Sequence, residues 1–191
     1  EGRNSLVVNF SRGCLWDCIF CSESAFYKKT WRRRSPKLIA DELELLKEKY
    51  NKTIFYVGDN TFNVTREQGI GFIEEMLKRK TNQHFWLQSR ADLIIRDEDL
   101  LDGFREAGVY QFMMGLEYHS DSVLKDIRKH HTVEQARKAM ELLKKHKLMV
   151  MATLLIGHWN ETEKDRNEFF KFFGKYVDHF GLNLITPLPG T

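Results

Sequence analysis

Short apolar runs alternate along the chain with segments whose apolar positions recur at helical spacing. Leu6 to Phe10 reads as a buried strand. Ser35-Pro36 then opens a helix, with Ser as N-cap, Pro at the first helical position, and Ile39, Leu43, Leu46 and Tyr50 on one face. Thr53 to Val57 is a second strand, ending at Gly58-Asp59-Asn60. Thr65-Arg66-Glu67-Gln68 has the capping-box pattern ahead of Ile70, Ile73 and Leu77. Phe85 to Gln88 is a third, short strand. Asp97 is expected to cap a helix through Leu100, Leu101, Phe104 and Ala107 that Gly108 stops. Val109 to Leu116 is a fourth strand, Ser120 opens a helical turn or two, and Thr132-Val133-Glu134-Gln135 starts a longer helix through Leu143. Leu148 to Ile156 is a fifth strand, apolar except at Thr153, as expected of a strand covered on both faces. Glu161 to His179 reads as a Phe-rich helix, and Asn183 to Thr186 as a sixth strand ahead of Pro187-Leu188-Pro189-Gly190.

Strands alternating with helices predict an α/β fold with a parallel sheet and right-handed crossovers. The three prolines fall at a helix start and after the last strand. A full eight-stranded barrel takes about 250 residues, and this chain has 191. The expectation is a partial (β/α)6 TIM-like barrel with parallel strands, or a doubly wound sheet. Both gather ligands at the carboxyl ends of the strands.

A chain that is 42% hydrophobic and 30% charged buries a sizeable core and is not disordered. The net charge of +3 does not point to nucleic acid. No apolar run reaches the ~18 residues a membrane helix needs, and Glu1-Gly2-Arg3-Asn4 does not read as a signal peptide. The expected location is cytoplasmic.

Cysteine usage changes the picture most. All three lie within eight positions, Cys14-Leu-Trp-Asp-Cys18-Ile-Phe-Cys21, just past the first predicted strand. An odd number so closely spaced is a poor disulfide framework and a good metal site. Three thiolates on one loop suit an iron–sulfur cluster that leaves one iron open to an outside ligand, since a [4Fe–4S] cluster usually takes four Cys. Two other readings stand beside it: free buried thiols, and a zinc site completed by a distant His such as His84, His130 or His131.

Cys-x3-Cys-x2-Cys with an aromatic before the last Cys resembles the signature of the radical S-adenosylmethionine (SAM) superfamily. The resemblance extends through Asn9-Phe10-Ser11-Arg12-Gly13, Trp31-Arg32-Arg33-Arg34-Ser35-Pro36, Met114-Gly115-Leu116-Glu117, Leu155-Ile156-Gly157 with Glu161-Thr162, and Thr186-Pro187-Leu188-Pro189-Gly190-Thr191. It is strongest to the B12-associated branch that includes the anaerobic magnesium-protoporphyrin ester cyclases. The resemblance implies a [4Fe–4S] cluster on Cys14, Cys18 and Cys21 and SAM bound at its open iron. Reductive cleavage of SAM then starts hydrogen abstraction for a methylation, a cyclisation or a related step. It implies a small-molecule substrate and a reducing donor such as flavodoxin or ferredoxin. Carried over by position, Phe20 lies near the adenine, Gly58 and Asp59 stand where relatives often hold the SAM amino group, and Gln88, Ser89 and Arg90 meet the ribose or carboxylate. Glu117 contacts the ribose, and Leu155 packs on the adenine. Residues 1–191 are then expected to be the catalytic core alone, with any cobalamin-binding domain and C-terminal flank outside this chain. Leu15 stands where the branch often has Pro, and His158-Trp159-Asn160 where Pro-Gly is commoner. That change brings His158 and Trp159 forward as substrate contacts or as a plain surface loop. The basic stretch Lys28-Lys29 and Trp31 to Arg34 reads either as a solvated surface or as an anion-facing patch beside the cysteines.

Overall fold

The computed structural model describes residues 4–191; the start of the segment read above as no signal peptide lies outside them. Six strands form one all-parallel sheet in sequence order: β1 (Ser5–Val8), β4 (Ile54–Val57), β5 (His84–Ser89), β6 (Val109–Glu117), β7 (Met149–Ile156) and β8 (His179–Leu184). The sheet curls into a half-barrel, the expected partial TIM-like barrel. Helices α2 (Pro36–Tyr50), α3 (Arg66–Arg79), α4 (Ala91–Arg96), α5 (Leu101–Glu106), α6 (Asp121–Asp126), α7 (Val133–Lys145) and α8 (Glu163–Phe173) connect the strands. No helix among the described residues is long and apolar enough to cross a membrane.

Strand alternation decides which face is buried. Phe55, Val57, Phe85, Leu87, Phe112, Met114, Val150, Ala152 and Leu154 lie under the helices and are almost fully buried. Their neighbours Tyr56, Trp86, Met113, Met151 and Thr153 point the other way and keep partial exposure. The fifth strand of the sheet is therefore covered on one face only. Its unbroken apolar run concealed the concave side. Phenylalanines knit the core beneath: Phe10 lies 5.9 Å from Phe72, Phe72 5.1 Å from Phe85, and Phe55 5.8 Å from Phe85.

Local signals were read with uneven success. Ser35 caps α2 by accepting from the Leu38 amide, and Thr132 with Gln135 forms the complete capping box of α7. Thr65 makes no such cap, and Gln68 is instead buried inside the molecule. Asp97 starts no α-helix. Its buried carboxylate accepts from Asn63 (2.8 Å), Arg66 (3.2 Å) and Arg96 (2.8 Å), so it is unavailable to cap a backbone. The Phe-rich helix stops at Phe173, and His179 already belongs to β8.

Two short strands were not foreseen. Ser11–Gly13 (β2) pairs antiparallel with Trp31–Arg33 (β3), with helix α1 (Ser22–Tyr27) between them. This ribbon flanks the cysteine loop.

Candidate cluster and cofactor site

The cysteine loop begins where β1 bends into β2, and Asp59 holds the bend. Its buried carboxylate accepts the Phe10 amide (2.7 Å) and the Ser11 hydroxyl (2.5 Å), and Ser11 in turn accepts the Trp31 indole N–H (2.9 Å). Burial pushes the Asp59 carboxyl up, against the pull of these hydrogen bonds. Gly13 completes the ribbon with a φ of +99°; a side chain there would run into the Thr30 carbonyl. Cys14 follows directly.

The loop is clamped on its far side to the segment after α6. The Ile19 amide donates to the Ile127 carbonyl at 3.2 Å. Asp17 accepts from His130 (2.5 Å) and Lys29 (3.1 Å), which hold its carboxyl down at about 2. Arg90 lies 4.2 Å over the Trp16 ring and donates to the Lys129 carbonyl at 2.9 Å.

Between this loop and the carboxyl ends of β5, β6 and β7 lies a cavity of about 190 Å³. Cys14, Cys18, Cys21 and Phe20 form one wall, and Gln88, Ser89, Arg90, Glu117 and Lys129 the other. An adjoining cleft of about 520 Å³ shares Phe20, Cys21, Glu117 and Thr153 and adds Leu155 and Asn183 to Thr186. Nine of the eleven positions expected to hold the cluster or SAM, namely Cys14, Cys18, Cys21, Phe20, Gln88, Ser89, Arg90, Glu117 and Leu155, thus line these two spaces. Gly58 and Asp59 do not line either space; Asn60 and Thr61 do, and Asp59 works from behind through the ribbon. His158 is buried outside both spaces, stacked on Trp159 at 4.0 Å. Glu161 accepts the Gly157 amide (2.9 Å) and so closes the turn after β7.

Lys129 was not foreseen. Its ammonium donates to Glu117 at 2.7 Å, with both side chains less than one-tenth exposed. It lies 5.9 Å from the Phe20 ring. Left-handed backbone at Arg128 (φ +51°) and His130 (φ +60°) brackets it, and Glu117 itself sits at φ +64° beside a register shift in β6. Gly115 makes room for the pair: a methyl there would meet Glu117 Oε1 and stand 2.6 Å from Lys129 Nζ. Nothing in the run Arg128-Lys129-His130-His131 advertises this, because the placement comes from backbone geometry.

Burial pushes the Cys18 and Cys21 thiols up, while Lys129 and Arg90 pull Cys18 back toward the thiolate that metal binding needs. Four-coordinate zinc holds sulfurs at about 2.3 Å, which brings them within about 4 Å of one another. The only His, Cys, Asp or Glu trio among the described residues drawn within 4.8 Å is His119, Asp165 and Glu168, not the cysteines. Of the histidines weighed for a zinc site, His130 is committed to Asp17.

Residues 8–173 match the profile described as the radical SAM superfamily. The chain belongs to that superfamily. The cyclase resemblance is also borne out: the anaerobic magnesium-protoporphyrin IX monomethyl ester cyclase of Rubrivivax gelatinosus is 34% identical over 165 residues, covering 86% of this chain and 30% of that protein. The hopanoid C-3 methylase of Methylococcus capsulatus is 25% identical over 185 residues, covering 96% of this chain and 35% of its own. Among solved structures, the radical SAM methyltransferase TsrM from Kitasatospora setae, with cobalamin and a [4Fe–4S] cluster bound, aligns with a TM-score of 0.85. That alignment has 18% identity and covers 97% of this chain and 37% of TsrM, so it speaks to the fold. The chain spans about a third of the length of the curated relatives it matches. Radical SAM membership implies a [4Fe–4S] cluster and SAM.

Proposed function

We propose that Cys14, Cys18 and Cys21 hold a [4Fe–4S] cluster, and that the adjoining cavity takes SAM to start a methylation or an oxidative cyclisation of a small-molecule substrate. The observation that carries this reading is the meeting of three thiols with Arg90, Lys129 and Glu117 around one cavity at the strand ends of a radical SAM half-barrel. When bound, the cluster and SAM supply one-electron cleavage of the sulfonium and with it hydrogen abstraction.

The chain's own residues do the rest. Arg90 and Lys129 offer cations to the SAM carboxylate, and Glu117, Gln88 and Ser89 offer polar groups to its ribose and amino group. Phe20 and Leu155 give the adenine apolar walls. Gly58 and Asp59 act through the bend that presents Asn60 and Thr61. Cyclisation and methyl transfer are both supported by the relatives, and a cobalamin domain outside this chain would favour the second.

Anaerobic reconstitution tests the reading. The chain is expected to turn brown, to bleach with dithionite, and to cleave SAM to 5′-deoxyadenosine. Alanine at any one of the three cysteines removes most iron and all cleavage. A colourless protein with stoichiometric zinc, or turnover surviving a cysteine replacement, overturns it.

A further inference from the structure

Away from the cysteine cavity, the exit of β6 meets α8 through a group of donors that the function above leaves unused. β6 ends at Glu117, and His119 follows two residues on. Phe169 of α8 packs on both residues of this exit, with its ring 5.8 Å from Tyr118 and 5.7 Å from His119. Asp165 and Glu168 stand three positions apart on α8 and so share one face of it. That face meets the imidazole: donor atoms of His119, Asp165 and Glu168 all lie within 4.8 Å of one another.

The three converge without satisfying one another. His119 Nδ1 is closed to solvent and has no hydrogen-bond partner, a state that costs free energy unless something meets the nitrogen. Asp165 uses its Oδ2 to accept the Thr162 amide (2.8 Å) and hydroxyl (2.7 Å), which orients the carboxylate and leaves Oδ1 for a ligand. Glu168 faces Lys164 at 3.8 Å, but that ammonium's side chain is 82% exposed. Arg166, the other cation of this turn, is taken by Glu161 at 2.8 Å.

We propose that His119, Asp165 and Glu168 bind a zinc ion that pins the exit of β6 to α8. One imidazole nitrogen with two carboxylate oxygens suits zinc, whereas magnesium and calcium prefer all-oxygen shells. Bonds of about 2.0–2.2 Å set the donors about 3.4 Å apart, and rotation of the exposed Glu168 side chain closes the difference. The Thr162 contacts behind Asp165 act as the outer support that metal-binding carboxylates need. Water completes the shell. No cysteine takes part, so the site stands independently of the cluster.

Zinc binding to the chain carrying Cys14→Ser, Cys18→Ser and Cys21→Ser isolates this site from the thiols. Equilibrium dialysis at micromolar metal is expected to find one zinc per chain, with a Tm that rises as zinc is added. His119→Ala, Asp165→Asn or Glu168→Gln weakens the Kd at least about tenfold. Asp165→Asn keeps an oxygen for Thr162, so the helix cap survives it. Glu163→Gln, on the same helix but outside the trio, leaves the affinity unchanged. Cobalt(II) added to the unmodified chain gives a check that needs no cysteine replacement. Nitrogen and oxygen ligation produces weak visible bands that His119→Ala abolishes, whereas thiolate ligation produces an intense ultraviolet band that it leaves in place. Zinc lost with the three cysteines, an affinity indifferent to His119→Ala, or cobalt bands of the thiolate kind alone refutes the site. Magnesium held as tightly as zinc refutes the choice of ion. A colourless chain with one zinc on its thiols and a second that His119→Ala removes overturns the cluster reading and supports this one.

Discussion

Replacing Lys129 by Met tests whether the buried pair with Glu117 organises the site. The two groups meet at 2.7 Å with 8% and 7% of their side chains exposed. Removing one partner of such a pair leaves an uncompensated charge, at a cost of about 3–5 kcal/mol. The neighbouring cavity admits water to Glu117, which favours the lower end, about 3 kcal/mol. In a chain of this size that is a fall in Tm of about 6–12 °C. Glu117→Leu together with Lys129→Met restores an apolar pair and is expected to recover most of the loss, with a coupling energy of at least about 1.5 kcal/mol. Urea unfolding of the four proteins, iron-free and followed by tryptophan fluorescence, measures each corner of the cycle. A Lys129→Met cost below about 1 kcal/mol, or effects that add, refutes the claim that the pair is a buried, mutually dependent unit.

Gly115→Ala pushes a methyl against Glu117 Oε1 and Lys129 Nζ, so SAM affinity measured by equilibrium dialysis drops while iron content holds; unchanged affinity separates the pair from SAM. Asp59→Ala strips the Phe10 amide and the Ser11 hydroxyl of their acceptor and costs about 2 kcal/mol or more in urea unfolding, with lower iron retention; full iron loading argues against the ribbon as the seat of the loop. Burial, aided by Lys129 and Arg90, pulls His131 from 6.5 down to about 3. Between those values the unfolded chain binds a proton that the folded chain refuses, so stability falls as pH drops through that window, by up to about 1.4 kcal/mol per pH unit. His131→Gln flattens this slope in acid unfolding curves; a slope equal to that of the parent excludes His131 as its source.

Much of the architecture was legible because each strand of the six-stranded sheet carries its own apolar run and some helices, α2 and α7 among them, their own caps. Thr132 with Gln135 and Ser35 with Pro36 mark real helix starts, since their partners lie three residues away. Reading failed where a polar residue had a distant partner. Thr65 and Gln68 match the capping pattern as well as Thr132 and Gln135 do, but the fold takes Gln68 inside. Asp97 looks like an N-cap, yet Asn63 and Arg66 reach it across more than thirty positions. The three-residue ribbon strands hold too few residues to show any period; their pairing rests on Asp59, Ser11 and Trp31.

The site divides along the same line. Which atoms hold the cluster is a local matter, written in the spacing of three cysteines over eight positions. Where those atoms sit is not local. Asp17, inside the motif, is gripped by His130 at a separation of 113 residues, and Ile19 by the Ile127 carbonyl. The same connection carries Lys129 into the cavity between two left-handed residues. One short segment therefore seats the cysteine loop and delivers the cation that faces it, so a change in its backbone would disturb both together. Arg128→Gly, which relieves left-handed strain without touching a cysteine or Lys129, should leave both intact, whereas Arg128→Pro, which cannot adopt that φ, should lose iron and SAM affinity in step.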